Sequence, residues 1–153
     1  MAATSSLSKK LASKYPHISF QPDNRAHWAP ALRTVFYCPD EPHADWILLH
    51  ETAHGILNHQ DYNLDIELLQ LERDAWHHAT TVLAPDCGIT IDPDFVESHL
   101  DTYRDWLHTK STCPHCHSNG IEQSKHHYLC LHCHGTWRTN TGVTANIRRY
   151  TFS

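Results

Sequence analysis

Two sets of residues in this chain have the types and spacing to hold metal ions. The first is His50-Glu51-Thr52-Ala53-His54. On an α-helix, positions i and i+4 share a face, so both imidazoles can grip one ion. A zinc ion held there lowers the pKa of a bound water to roughly 7, and the neighbouring glutamate is placed to accept the proton. The second set is Cys113-Pro-His-Cys116 and Cys130-Leu-His-Cys133, two CxxC pairs with thirteen residues between them. Four thiolates complete a tetrahedral structural zinc shell and leave no open coordination position. That pattern predicts a folding role rather than catalysis. About forty residues around it supply little core, so metal would provide much of the folding free energy.

These sets draw on an unusual composition. The 153 residues include 16 histidines and 6 cysteines, of which Cys38 and Cys87 stand apart from the pairs. From residue 110 onward the basic side chains are Lys110, Lys125, Arg138, Arg148 and Arg149, against Glu122 alone, a charge of +4. The preceding 109 residues carry seven basic and sixteen acidic side chains, −9. The change of sign predicts two modules, 1–109 and 110–153. No apolar run approaches the ~18–20 residues of a membrane span, and the first residues lack the apolar core of a secretion signal. Paired CxxC motifs in that context read as metal ligands in a cytoplasmic protein, not as disulfides.

The elements that must position these residues follow from periodicity. Residues 1–16 read as a tail or short helix ending before Pro16. The patches Ile18–Phe20 and Thr34–Cys38 are strand candidates, separated by Pro22 and Pro30. Trp46, Leu49, Ala53, Ile56 and Leu57 recur at steps of three and four, which predicts a helix over His43–His59 carrying the histidine pair. A longer helix is predicted over Leu64–Ala84, with a stripe of Leu64, Leu68, Leu71, Ala75, His78 and Val82, stopped by Pro85. A third is predicted over Asp94–His108. After residue 113 the β-prone runs are His127–Cys130, Gly135–Arg138 and Ile147–Phe152. The fold class is therefore α+β: a short sheet with two ligand-bearing helices, then a small β module.

Catalytic zinc requires a third protein ligand. No metzincin-type histidine follows His54, so the ligand should come from the second helix, where Glu67, Glu72, Asp74, His77 and His78 are candidates. On a helical wheel, Glu72 and Asp74 flank the apolar stripe on opposite sides and His77 points away. The wheel leaves both carboxylates open. His78 falls on the stripe, where a core histidine competes with a group that stabilises developing negative charge. His59 and Tyr62 have the same ambiguous status, and Trp46 and Trp76 read as packing residues.

The stretch LLHETAHGILNH followed by LERDAWHHATTVLAP resembles the ImmA/IrrE family of metallopeptidases over about residues 45–85. The resemblance implies a zincin-like fold with His50 and His54 as ligands, Glu51 as general base, Glu72 as third ligand and Asp74 as the acid before the retained alanine. The chain departs from that family at Trp76 and His78, where the family carries Asn and Phe. It implies selective zinc-dependent cleavage of a protein such as a repressor-like regulator, with a second, structural zinc in a four-cysteine ribbon. The chain is also similar to SprT-like DNA-associated proteases, which join HExxH to a zinc ribbon but use a histidine as third ligand; His78 alone is suitably placed. A third reading is a non-catalytic zinc-stabilised regulator. The basic ribbon, with Trp137 and Tyr150, suits contact with nucleic acid and equally suits contact with a protein substrate. By analogy with zincins, Arg33–Tyr37 is the strand expected to pair with an extended substrate.

Overall fold

The computed structural model describes residues 2–141 and 147–151, and among them the fold is mixed α+β with two small sheets. The chain forms two compact units, residues 1–60 with 73–92, and residues 61–72 with 93–153. Each unit thus draws on two stretches of chain. One helix runs through the boundary between Glu72 and Arg73.

In the first unit, the N-terminal segment is a full helix, α1 (Ala2–Lys14). It buries Leu7 and Leu11, spaced i and i+4. Its C-terminal end is tied down by ion pairing of Lys14 with Asp86 and by Lys10 Nζ donating to the Asp86 carbonyl at 3.0 Å. The sheet has the order β1-β3-β2: β1 (Ser19–Pro22) runs parallel to β3 (Thr34–Tyr37), and β2 (His27–Ala29) runs antiparallel to it. Ser19 is opposite Thr34, and Trp28 is opposite Val35. The central strand is the apolar one, burying Val35 and Tyr37. This placement corrects one expectation. The substrate-pairing strand predicted at 33–37 has neighbours on both sides, so its hydrogen-bonding groups are not available, and Arg33 sits before it in a left-handed turn with φ 46°.

Helix α2 (Ala44–Ile56) follows. It is buried on most of its circumference, through Leu48, Leu49, Thr52, Ala53 and both motif histidines. Gly55 makes this possible against the sheet: a Cβ there would meet Ile18 Cδ1 at 3.0 Å and the Trp28 ring at 3.1 Å.

Helix α3 (Asp65–His78) passes into a π-helical turn (Ala79–Leu83) and a last short turn, α4 (Ala84–Asp86). Pro85 does not stop it. Proline lacks the N–H for an α-helical bond and its ring clashes with the i−4 carbonyl; the wider turn ahead of it relieves both demands. The stop is Gly88, at φ 66°, with the Ile89 N–H donating to the Ala84 carbonyl at 2.8 Å, a glycine-capped helix end. The buried face also differs from the predicted stripe. Ala75 of the stripe is buried, but so are Asp65, Glu72, Trp76, Ala79 and Leu83 outside it, while Val82 is exposed and His78 is half-buried. The inward face therefore turns on Glu72 and Trp76, close to one residue step from the wheel's centre.

In the second unit, helix α5 (Pro93–Ser111) extends three residues past its predicted end and buries Val96, Leu100, Trp106 and Lys110. Strands β4 (Gly120–Ser124), β5 (His127–Cys130), β6 (Thr136–Thr139) and β7 (Arg149–Thr151) form an antiparallel sheet in chain order. β7 falls within the predicted run Ile147–Phe152, of which Phe152 lies outside the described residues. The core of this sheet is Cys113, Tyr128, Cys130 and Trp137, with Tyr128 and Trp137 stacked at 5.6 Å. No helix among the described residues is long and apolar enough to cross a membrane.

Candidate metal centres

The α2 periodicity places His50 and His54 on one face, one turn apart. Their Nε2 atoms point at each other across 3.2 Å. A tetrahedral shell with Zn–N near 2.05 Å separates two ligand nitrogens by about 3.3 Å, so this spacing fits a shared zinc ion. One Glu72 carboxylate oxygen joins them: the three ligand atoms lie within 4.8 Å of one another, and all three residues are buried. Glu72 stands one helical turn before Trp76 on α3, and Trp76 stacks flat on the His50 ring, 4.1 Å between centroids and 16° between planes. That stack fixes the rotation of the His50 imidazole. Glu51 points its carboxylate to 4.0 Å from His50 Nε2, on the side where the ligand atoms converge. Asp74 is exposed and His78 half-buried, and neither is in this group. Burial, and then the neighbouring His77, hold the His78 imidazole below its ordinary pKa.

Two residues near this centre carry no motif signature. The second ring nitrogen of His54, Nδ1, lies 2.8 Å from His59 Nδ1. Glu41, in the turn before α2, has a buried Oε1 with no hydrogen-bond partner among the described residues. Burial, and then the like charge of Glu51, raise its carboxyl above the ordinary range. The sequence leaves His59 open between a packing residue and a group acting at the metal site, whereas composition and periodicity hold no trace of Glu41, whose place depends on the turn before α2.

The four cysteines form a second cluster with all Sγ atoms within 4.8 Å. The Sγ separations are 3.7 Å for Cys113–Cys133 and 3.5 Å for Cys116–Cys130. A disulfide requires about 2.05 Å, whereas a tetrahedral shell with Zn–S near 2.3 Å requires about 3.8 Å. The cluster therefore fits metal ligation. The two CxxC turns have the same backbone design. His117 N–H donates to the Cys113 carbonyl and His134 N–H to the Cys130 carbonyl, both at 3.0 Å, and both histidines are left-handed, at φ 63° and 62°. Amide N–H groups approach the sulfurs, from His115 to Cys113 at 3.4 Å and from Cys133 to Cys130 at 3.5 Å. Hydrogen bonds from Ser118 bring the Cys116 thiol down to about 6.

A third group, Asp65, Glu122 and His126, also lies within 4.8 Å. Here the cation is already supplied by the protein. Lys110 Nζ is 2.7 Å from Asp65 Oδ2, and both side chains are fully buried. Tyr128 donates its hydroxyl proton to Asp65 Oδ2 at 2.6 Å, and Glu122 accepts the N–H groups of Asp65 and His126. Lys110 thus answers the Asp65 carboxylate inside a hydrogen-bonded structural network that Tyr128 and Glu122 complete. This removes Lys110 from the basic surface predicted for the ribbon. Arg149 is also engaged, donating to the Thr112 carbonyl at 2.7 Å, and the Arg138 guanidinium lies over Tyr150 at 4.3 Å. Beside this network, Leu64, Ile66, Leu107, Ile121 and Tyr128 line an apolar groove of about 300 Å³.

Comparison with family models, curated proteins and solved structures gave no match.

Proposed function

We propose that this chain is a zinc-dependent metallo-endopeptidase of the ImmA/IrrE type that cleaves a specific protein substrate, such as a repressor-like regulator, and carries a structural zinc in its four-cysteine ribbon. The observation that supports it is the convergence of His50 Nε2, His54 Nε2 and a Glu72 oxygen, with the Glu51 carboxylate alongside. When bound, zinc supplies Lewis-acid polarisation of water and of the scissile carbonyl. Glu51 takes the proton of the attacking water and delivers it to the leaving amine. His50, His54 and Glu72 hold the ion, and Trp76 keeps the His50 ring in its plane. An extended substrate can add only to a sheet edge. The edge strand packed on α2 is β2, through Trp28 against Gly55.

Exposed apolar side chains of the second unit, Ile66, Ile121 and Leu131, favour contact with a protein over contact with nucleic acid. DNA binding is the second reading, carried by exposed Arg138 and Arg148. The SprT-like reading needs His78 as ligand, and the grouping of Glu72 with the histidine pair favours ImmA/IrrE chemistry. The test is zinc stoichiometry together with mass spectrometry of candidate regulators incubated with the native protein and with Glu51→Gln. The expected result is two zinc ions per chain in both proteins, with cleavage only by the native one. Zinc in the ribbon alone would instead make the chain a non-catalytic regulator. Loss of the histidine-site zinc on His78→Ala, with retention on Glu72→Ala, would favour the SprT-like assignment.

A further inference from the structure

We infer that His59 is a positioning residue that sets the tautomer and ring orientation of His54. The inference rests on the reading that His54 Nε2 is a metal ligand. A nitrogen that ligates a metal carries no proton, so the proton of neutral His54 must then sit on Nδ1. That N–H faces His59 Nδ1 at 2.8 Å, which accepts it. Ligating histidines are commonly held this way by an acceptor behind the ring, which fixes the ring and raises its basicity.

His59 is built in for this contact. Asn58 takes a left-handed conformation, φ 55°, and turns the chain back past the end of α2. Arg33 Nη1 donates to the Asn58 side-chain oxygen at 3.2 Å. The His59 N–H donates to the His54 carbonyl at 2.9 Å, and the His59 carbonyl accepts the Trp28 indole N–H at 2.9 Å. Trp28 reaches that far because Gly55 leaves room for its ring. The two imidazoles meet edge to face, 68° between planes. The backbone of residue 59 is thus pinned at both its N–H and its carbonyl, and the acceptor cannot drift from His54.

The test compares native protein with His59→Leu, His59→Asn, His59→Gln and His50→Ala. Zinc affinity at the histidine site is measured by chelator competition with the cysteine site loaded. His59→Leu is expected to weaken zinc binding 10–100-fold and leave the cysteine site unchanged. In His59→Asn the amide oxygen stands close to the place of Nδ1, and affinity should return to within a few fold of native. In His59→Gln the acceptor is moved outward, and affinity should resemble His59→Leu. Nitrogen-15 spectra of the loaded native protein should show the His54 proton on Nδ1. Native-like affinity in both His59→Leu and His59→Gln would overturn the inference. So would equal weakening by Asn and Leu, because packing alone would then explain the loss. His50→Ala separates the two levels: if it leaves zinc content unchanged, the metal reading itself has failed.

Discussion

Asp65 and Lys110 offer the sharpest thermodynamic test of the second unit. Both are fully buried and their charged atoms are 2.7 Å apart. At an effective dielectric of 20 their attraction is about 6 kcal/mol. Desolvation of several kcal/mol per ion offsets most of that, so the intact pair is close to neutral for stability. Removing one partner is different, because the other charge stays behind in the core beside Trp106, Tyr128 and Trp137. Asp65→Leu and Lys110→Met are each expected to cost about 3–5 kcal/mol. Asp65→Leu with Lys110→Met should cost only about 1–3 kcal/mol, mainly from the orphaned Tyr128 hydroxyl, and adding Tyr128→Phe should recover part of it. The assay is urea unfolding of the zinc-loaded protein, followed by tryptophan fluorescence. The cycle has an internal check at His126, whose pKa is lowered first by burial and then by the Lys110 charge. In Lys110→Met the His126 pKa should rise. Single variants that cost under 1 kcal/mol, or a double variant that costs the sum of the singles, would refute the reasoning.

Three further outcomes follow from the same geometry. Glu41 has its carboxyl pKa raised in the fold by burial and then by Glu51, so it destabilises the protein above its unfolded pKa and the penalty is relieved as pH falls through the folded value. Glu41→Gln should therefore make the metal-free protein more stable near neutral pH, with the gain vanishing in acid; a loss of stability at pH 7 would contradict it. In metal-free, reduced protein, Cys116, with its thiol at about 6, should be alkylated ahead of Cys133, where the Gly135 N–H lowers the thiol but partial desolvation and contacts with the neighbouring thiols outweigh it and push it up to about 12. Peptide mapping after brief iodoacetamide treatment at pH 7 reads the order directly, and zinc should abolish the difference. Trp76→Leu removes the 4.1 Å stack on His50 and should lower zinc affinity at the histidine site about tenfold, whereas Trp76→Phe should retain most of it.

The features readable in advance were those encoded by local spacing. The HExxH helix and the two CxxC turns depend on residues within five positions of one another, and the α2 and α5 helices follow from their apolar periods. The inward face of α3 departs from its apolar stripe because polar side chains are buried on it. Asp65 and Glu72 are buried, one against Lys110 and one among the histidines, and polar residues with distant partners leave no periodic signal. The π turn then shifts the register beyond residue 78, so Val82 fell on the predicted stripe and Leu83 took its place. Strand β2 is three residues long and ends at Pro30, too short for alternation to show. The burial of Lys110 is invisible to local pattern because its partner Asp65 lies 45 positions away in the chain.

The matched design of the two cysteine turns bears on the kinetics of metal exchange. Each turn is closed by its own backbone hydrogen bonds, Cys113 to His117 and Ser118, and Cys130 to His134 and Gly135, so each presents two sulfurs as a preformed bidentate claw. A metal ion captured by one claw is held at high local concentration beside the other. If the cluster takes zinc, loading is expected to proceed in two steps, the second intramolecular and insensitive to protein concentration. Release runs through the same half-bound state, where recapture competes with escape. A chelator must intercept that state, so the rate of zinc loss should rise with chelator concentration and then level off at the rate at which one claw lets go.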